Sequence, residues 1–378
     1  MIPLSLYIHV PWCIRKCPYC DFNSHKSPDK LPEQAYIDAL IADFDHDLAR
    51  YPKQQTLHSI FIGGGTPSLL SAQAYARLFQ HIQMRIPFVE DIEITLEANP
   101  GAIEHDLFSE YRAVGINRLS LGIQSFDPSH LKRLGRVHDT QQAQQAIEQV
   151  LQAGFTRFNL DLMYGLPEQS PAQALDDLRI ALSYQPSHLS WYQLTIEPNT
   201  IFHKTQPVLP NEERIAKMEE AGLALLASHH LQRYEISAFC KAGQMARHNL
   251  NYWLFGDYYG IGAGAHGKVT LSAPDSIYRT QKHRQPKDYL DPQKTFLTQS
   301  TLITADALVF EFMLNTTRLE QAIPFALFPE RTGLPLDIIQ PKLQQAQELG
   351  LITLHPSAWQ ITRLGRQFTN DFQALFLE

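Results

Sequence analysis

Short apolar runs alternate with amphipathic stretches up to about residue 230 of the chain. Short runs of this kind, separated by helical stretches, are typical of strands. The predicted strands span residues 4–10, 59–62, 92–97, 118–124, 157–163 and 188–194. Apolar residues recur between them at helical spacing, most clearly over 33–50, 72–86, 141–153 and 171–184. This alternation predicts an α/β fold in which a parallel sheet curls into a partial (β/α)6 barrel of the TIM type.

The pattern changes twice after this region. Residues 233–300 are less regular, with one further predicted strand at 234–239 and a glycine-rich run at 260–267. From residue 301, helical segments precede two short strands at 351–354 and 359–362, and a last helix follows. Helices followed by a hairpin resemble a winged helix. We therefore predict a core over 1–232, a connecting region over 233–300 and a small winged-helix-like α+β domain over 301–378.

Amino-acid composition and net charge limit the classes of protein to which the chain can belong. With 44% hydrophobic and 19% charged residues in 378, the chain can bury an ordinary globular core. The formal net charge is −7, whereas proteins that follow a phosphate backbone usually carry a basic excess, so we expect no nucleic-acid partner. Residues 301–378 hold five Lys/Arg and eight Asp/Glu, which favours packing or partner binding over DNA binding.

The hydropathy pattern also predicts where in the cell the protein is found. No uncharged apolar stretch of about 18 residues occurs, so no transmembrane segment is expected. No basic segment followed by an apolar one precedes the first strand, which argues against a signal peptide and predicts a cytoplasmic protein. A transient association with a membrane remains compatible with this sequence.

Three of the four cysteines fall within eight residues, directly after the first predicted strand. Cys13, Cys17 and Cys20 have the spacing C-x3-C-x2-C. Three thiolates in one loop can ligate three irons of a 4Fe–4S cubane, whereas fully ligated ferredoxin clusters use four cysteines. The fourth iron is then open, and it can chelate the amino and carboxylate groups of S-adenosylmethionine. We predict such a cluster here.

A zinc site is the main alternative for these cysteines. Zinc sites usually show paired C-x2-C units and a second pair of ligands. The further ligand would be His25 or Cys240. The observed spacing is less typical of zinc, and three buried structural cysteines in one loop would contribute little to a core.

The cysteine segment resembles a known family. Tyr19, directly before the third cysteine, is typical of the radical S-adenosylmethionine superfamily. The wider string Tyr7-Ile8-His9-Val10-Pro11-Trp12-Cys13 is similar to the oxygen-independent coproporphyrinogen III oxidase group, and the similarity extends over essentially the whole chain. This resemblance implies a 4Fe–4S cluster on the three cysteines and S-adenosylmethionine as a cofactor.

Polar residues at predicted strand ends are candidates for the cofactor pocket. A glycine run after the second strand leaves backbone groups free to approach a ligand. Asp161 lies between Leu160 and Leu162 and therefore needs a partner or a ligand. The resemblance implies that Gly64, Gly65 and Thr66 contact the methionine amine. It further implies that a set of polar side chains binds the ribose hydroxyls and the methionine carboxylate, namely Glu97, Gln124, Arg136 and Asp161. Tyr7 and Tyr19 would add packing and backbone contacts.

Two departures separate this chain from the oxidases of the group. The oxidases carry a further cysteine at the position of Phe22, and they have an N-terminal extension, whereas here the cysteine loop begins at residue 13. The segment from His248 to Tyr252 reads H-N-x-x-Y and resembles the haem-handling branch of the group. Imidazole is a common haem ligand, so we predict that His248 ligates haem, with His266 as a weaker rival.

The resulting interpretation is a haem chaperone on a radical S-adenosylmethionine scaffold. It would bind haem as cargo and pass it to haem-requiring acceptor proteins, of the respiratory chain by resemblance. Two alternatives stay open: an oxidase that decarboxylates coproporphyrinogen III, and radical cleavage of haem. Whether the protein is an enzyme is not decided by the sequence.

Overall fold

The computed structural model describes residues 2–101, 107–271 and 276–377. In the first part of the chain it confirms the predicted alternation of strands and helices, with shifts of a few residues at the ends. The elements are β1 (Leu4–Val10), β2 (Trp12–Cys13), β3 (His25–Lys26), α1 (Glu33–Arg50), β4 (Leu57–Gly64), a 3-10 turn (Pro67–Leu69), α2 (Ala72–Arg85), β5 (Phe88–Ala98), α3 (Phe108–Ala113), β6 (Arg118–Gln124), α4 (Pro128–Arg133), α5 (Thr140–Gln152), β7 (Phe158–Tyr164), α6 (Pro171–Ser183), β8 (His188–Gln193), α7 (Ile201–Thr205) and α8 (Glu212–Ser228).

Local sequence signals set several helix starts. The side chains of Ser71, Asp139 and Ser170 each accept a hydrogen bond from a backbone N–H in the first turn of the following helix. Such caps satisfy donors that a helix leaves without a partner. Pro171 occupies the first turn of α6, where its missing N–H costs no helical hydrogen bond.

The sequence pattern indicated a less regular connecting region over residues 233–300, but the structure has regular strands and helices there. These residues supply six further strands and two helices: β9 (Gln232–Glu235), β10 (Ala238–Cys240), α9 (Arg247–Trp253), β11 (Asp257–Ile261), β12 (His266–Thr270), β13 (Ile277–Lys282), α10 (Pro286–Tyr289) and β14 (Leu297–Leu302). The predicted strand at 234–239 corresponds to β9 and β10, whereas β11 to β14, which are short and contain several polar residues, were not predicted. The sheet therefore continues through the predicted boundary at residue 232.

Twelve strands of the described residues form one mixed sheet. Their order is β14-β13-β12-β11-β1-β4-β5-β6-β7-β8-β10-β9. The seven strands from β11 to β8 in this order are parallel, and the outer strands are antiparallel. Because parallel strands end on the same side, side chains at their C-terminal ends can meet in one place.

A buried ion group joins the added strands to α1. Lys282 of β13 donates hydrogen bonds to Asp43 at 2.5 Å and to Asp47 at 2.6 Å. The hydroxyl of Tyr289 donates a further hydrogen bond to Asp43 at 2.7 Å. All three charged side chains are inaccessible to water or nearly so. Burial raises the pKa of Asp43 to about 6, although Lys282 acts to lower it.

The C-terminal segment forms a small domain with its own apolar core. Its elements are α11 (Ala305–Thr316), β15 (Ile323–Pro324), α12 (Leu327–Thr332), a 3-10 turn (Leu336–Ile338), α13 (Gln340–Glu348), β16 (Ile352–Leu354), β17 (Ala358–Ile361), α14 (Arg363–Gln367) and α15 (Thr369–Ala374). Strands β16 and β17 pair as an antiparallel hairpin directly after α13, which confirms the winged-helix-like prediction. Trp359, Phe312 and Phe372 lie in the core. Among the described residues, no helix combines the length and apolar character needed to cross a membrane.

Candidate functional site

The cysteine loop, residues 11–26, follows β1 and is held in place by backbone hydrogen bonds. Cys20 donates its N–H to the carbonyl of Cys17 at 3.2 Å, which forms a tight turn between the two. The N–H groups of Gly65 and Thr66 donate to the carbonyls of Val10 and Trp12, both at 2.7 Å. These bonds fix the loop against the glycine run that follows β4.

The three thiols of this loop line one cavity of about 300 Å³, hereafter the first cavity. Each of these cysteines is free and partly exposed. Burial raises the pKa of Cys13 and of Cys20, while the hydroxyls of Thr66 and Ser24 act to lower it. Three thiols around a shared space, rather than at one point, are a donor set that suits a multi-iron cluster.

The ligands that a zinc site would need lie elsewhere. His25 uses its Nε2 in a hydrogen bond with the carbonyl of Arg284 at 3.1 Å. Cys240 pairs across the sheet with His188, at the N-terminal start of β8 and thus at the opposite end of the barrel from the loop. In the ranges that the structure describes, no three His, Cys, Asp or Glu side chains are arranged for a single metal ion.

The first cavity also gathers residues from the ends of successive parallel strands. The predicted residues that line it are Tyr19, Gly64, Gly65, Thr66, Glu97, Gln124, Arg136 and Asp161, together with the three cysteines. Strands β4 to β8 would span about 19 Å in a flat sheet, at about 4.8 Å per strand. Residues from all five strands line the same 300 Å³ cavity, which requires the sheet to curl as the partial barrel does.

Two carboxyl groups of the cavity have raised pKa values. Burial raises the pKa of Glu97 to about 8, and the nearby charge of Asp161 adds to the effect. Glu97 accepts a hydrogen bond from the N–H of Gly64 at 3.1 Å. Asp161 accepts hydrogen bonds from Ser120 at 2.8 Å and Asn159 at 2.9 Å, yet burial still raises its pKa. These hydrogen bonds fix the orientation of both carboxyl groups. Each group still has oxygen lone pairs that can accept a hydrogen bond from a ligand.

Arg136 is placed to bind an anion beside the cysteine loop. Its Nη2 donates to the carbonyl of Gly122 at 2.6 Å and to Asn99 at 2.5 Å, and its Nη1 lies 3.6 Å from the Cys17 sulfur. Its Nε–H is buried and lacks a hydrogen-bond partner within the described residues. A buried donor without a partner is costly, so this atom fits the carboxylate of an amino-acid ligand.

Gln124 and Gly65 show backbone features that the pocket requires. Gln124 has φ +70°, a left-handed conformation that is uncommon for residues other than glycine, and its Oε1 accepts a hydrogen bond from Tyr192 at 2.7 Å. A Cβ added to Gly65 would lie 2.4 Å from the carbonyl oxygen of Trp12. Only glycine lets the two loops approach this closely. The first cavity therefore fits both a cluster and S-adenosylmethionine.

Comparison with known proteins identifies the family. The Radical SAM superfamily model matches residues 7–181, and the HemN C-terminal domain model matches residues 303–368. The chain is 49% identical over 376 residues to Heme chaperone HemW of Escherichia coli (strain K12), covering 99% of this chain and 98% of that protein. It is 34% identical to Heme chaperone HemW of Bacillus subtilis (strain 168), covering 99% of each. The chain belongs to the HemW family.

A solved structure supports the fold of this HemW-family member. Coproporphyrinogen III oxidase (HemN) from Escherichia coli superposes with a TM-score of 0.82, covering 99% of this chain and 90% of that chain. The sequence identity is 24%, so the likeness shows the shared fold. The chain thus combines a radical S-adenosylmethionine fold with the small C-terminal domain described above.

A second cavity of about 450 Å³, open to solvent, adjoins the first. It is lined by Tyr7, His9, Phe22, Asn23, Tyr252, Tyr258, Gly264, His266 and Arg284. Phe22 lines both cavities. Tyr7 was expected beside the cofactor but lies in the second cavity, where its hydroxyl forms a hydrogen bond with His9 at 2.9 Å.

His248, the predicted haem ligand, is not among the residues that line the first or the second cavity. It is 1% exposed, and its ring stacks on Phe61 with centroids 5.2 Å apart. Its Nδ1 forms a hydrogen bond with Ser59 at 3.1 Å and its Nε2 with Tyr252 at 2.9 Å. Both ring nitrogens are engaged in hydrogen bonds, so haem ligation by His248 stays a prediction that this arrangement does not favour. Of the two histidines considered for the HemW-family cargo, His266 is the one that lines an open cavity.

Several lining residues of the first cavity were not predicted. They are Asn99, Ser120, Ser190 and Tyr192. Asn99 donates to Thr66 at 3.0 Å and accepts from Arg136, so it links two predicted contacts. Each of the four lies on or directly beside a predicted strand. A search for polar residues within two positions of each predicted strand end, in either direction, would have found Asn99 and Tyr192.

Proposed function

We propose that this protein is a haem chaperone that carries a 4Fe–4S cluster and S-adenosylmethionine. In this proposal it takes up haem in the cytoplasm and passes it to haem-requiring proteins of the respiratory chain. The observation that carries the proposal is the full-length similarity to proteins named heme chaperones, at 49% identity for the relative from Escherichia coli. The first cavity supports the cofactor part, because it collects the thiols, the acids and the arginine in one place.

The residues of the first cavity take distinct roles in this proposal. Cys13, Cys17 and Cys20 hold the cluster. Arg136 binds the methionine carboxylate through its Nε–H, which has no hydrogen-bond partner within the described residues. The backbone at Gly64, Gly65 and Thr66 contacts the amino group, and the ribose hydroxyls bind Glu97, Gln124 and Asp161. A bound cluster supplies an electron that can cleave the sulfonium of S-adenosylmethionine.

The decisive experiment separates the chaperone from the oxidase. Anaerobically reconstituted protein is incubated with haem and, separately, with coproporphyrinogen III. We expect a stable haem absorption spectrum in the first sample and no vinyl product in the second. Phe22 at the oxidase cysteine position is the basis for the second expectation. Formation of protoporphyrinogen at an enzymatic rate, of order 1 per second, would contradict the chaperone assignment.

Delivery needs its own measurement. Haem-loaded protein is mixed with a respiratory haem protein stripped of its haem, and the recovery of the acceptor's spectrum is followed. We expect faster recovery than with the same amount of free haem, because a dedicated chaperone contacts its acceptor and orients the transfer. Stripped myoglobin serves as the control acceptor and should gain no such advantage. Equal acceleration for both acceptors would contradict specific delivery.

A further inference from the structure

The second cavity combines features that suit a flat, largely apolar ligand with acidic edges. Tyr7, Tyr252, Tyr258 and Phe22 contribute aromatic walls, and Arg284 contributes an exposed guanidinium at the rim. Its volume of about 450 Å³ lies within the range of small-molecule sites. Aromatic faces can pack against a porphyrin, and a guanidinium can pair with a propionate.

His266 is the residue of this cavity that is equipped to bind iron. It is the first residue of β12, and its side chain is exposed. Within the described residues, neither of its ring nitrogens takes part in a hydrogen bond. Contact of one part of the ring with the protein, together with the positive charges of Arg279 and Arg284, lowers the pKa of His266, so the imidazole is neutral near pH 7 and has a lone pair available.

His9, the second histidine of the lining, has both ring nitrogens in hydrogen bonds, with Tyr7 and with the carbonyl of Asn23. Tyr252 is a further side chain of the cavity that could bind iron, and its surroundings argue against it. Its hydroxyl lies 2.9 Å from His248 Nε2. Ligation as phenolate would require the hydroxyl proton to leave. Burial raises the pKa of Tyr252 well above 10, and burial lowers the pKa of His248 to about 3, so His248 does not accept that proton. The pair is held as a neutral hydrogen bond.

We propose that the haem of the proposed function is bound in the second cavity, with His266 as its iron ligand. His248 then acts as a positioning residue that holds Tyr252 in the cavity wall and does not touch the iron. This assignment rests on the proposed haem binding and specifies where it occurs. It also gives the H-N-x-x-Y motif a physical meaning, because the first and last residues of the motif are the hydrogen-bonded pair, four residues apart on α9.

The cysteine loop forms part of the same wall. Asn23 donates hydrogen bonds to the carbonyls of Ala263 and Arg284, both at 2.9 Å, and its own carbonyl pairs with His9 at 2.8 Å. The loop that carries the cluster thus connects directly to the segments that carry His266 and Arg284. The test therefore uses full-length protein with its cluster reconstituted.

The test is a titration with ferric haem, followed by absorption in the Soret region. His266→Ala should weaken haem binding at least tenfold and shift the Soret band, and added imidazole should restore the parental spectrum by filling the vacated ligand position. His355→Ala is the matched control, since His355 is exposed in the C-terminal domain far along the chain, and it should bind as the parent does. Iron and sulfide content, together with circular dichroism, shows that each variant is folded and loaded.

A second pair of variants tests the positioning role. His248→Ala and Tyr252→Phe should lower affinity without changing the Soret position or the electron paramagnetic resonance signature of the ferric haem. Imidazole should not rescue either. Parental affinity and spectrum in His266→Ala would overturn the proposal, as would a ligand change in His248→Ala that imidazole reverses. Absence of haem binding by the parent protein would instead refute the proposed function itself.

Discussion

Replacing Glu97 by glutamine should stabilise the cofactor-free protein at alkaline pH and weaken its binding of S-adenosylmethionine. Burial, with a smaller effect of Asp161, raises the pKa of Glu97 from 4.5 to about 8. A raised pKa means that the folded state binds a proton that the unfolded state has released. The folded protein therefore loses stability as the pH rises from about 4.5 to about 8, whereas a glutamine has no such proton to lose.

The size of this change in stability follows from the pKa shift of Glu97. A difference of 8 − 4.5 = 3.5 pH units corresponds to about 5 kcal/mol, at about 1.4 kcal/mol per unit. Glu97 is partly exposed towards the cavity, and water there screens the charge, so we expect about 2–3 kcal/mol at pH 8. The difference should shrink towards zero near pH 5. Glutamine keeps an oxygen for the Gly64 N–H, so the fold retains that bond.

The assay is urea unfolding of cluster-free parent and Glu97→Gln protein, followed by circular dichroism at pH 5, 6, 7 and 8. Glu90→Gln is the matched control, because Glu90 is an exposed carboxylate on the same strand, and its replacement should change little at any pH. In reconstituted protein above pH 8, where Glu97 is ionised, Glu97→Gln should lower the affinity for S-adenosylmethionine about tenfold or more, since a charged acceptor is lost. Equal unfolding free energies of parent and Glu97→Gln at both pH 5 and pH 8 would refute the reasoning.

Three further predictions address the cysteine loop, the glycine run and the buried ion group. Alanine at any of the three loop cysteines should abolish iron and sulfide binding, whereas Cys240→Ala should retain both, and loss of iron in the latter would contradict the three-ligand assignment. Gly65→Ala places a methyl carbon 2.4 Å from the Trp12 carbonyl oxygen, so calorimetry should show affinity for S-adenosylmethionine reduced at least about tenfold by the strain. An unchanged affinity would show that the loops can separate freely. Lys282→Met leaves two buried carboxylates without their cation and should lower the unfolding free energy by about 3–5 kcal/mol at pH 7. The loss should be smaller at pH 5, where Asp43, with its pKa raised by burial to about 6, is protonated; an equal loss at both pH values would contradict this account.

Local patterns in the sequence were enough to predict the barrel and most of the first cavity. The C-x3-C-x2-C spacing confines three thiols to one loop, whatever the rest of the fold does. Strands of a parallel sheet end on the same side, so polar residues at strand ends, such as Glu97 and Asp161, must lie near one another once the sheet curls. These inferences depend on periodicity and chain connectivity, which are properties of short segments.

Strands β11 to β14 could not be found in this way. Strand β13 buries Lys282, and a lysine on a sheet face is normally a sign of exposure. Its burial is tolerated because Asp43 and Asp47, which lie more than 230 positions away along the chain, supply the opposite charge. A hydrophobic pattern does not report a charge that is buried together with its partner.

The roles of His248 and Tyr7 were likewise decided by tertiary structure. The motif drew attention to His248, but the sequence could not show that Ser59 and Tyr252 form hydrogen bonds with both of its ring nitrogens. Tyr7 lies on the first strand, and only the pairing of that strand with β11 places it in the second cavity. Contacts between residues far apart in the chain depend on strand order and register, and these are set by the packing of the whole molecule.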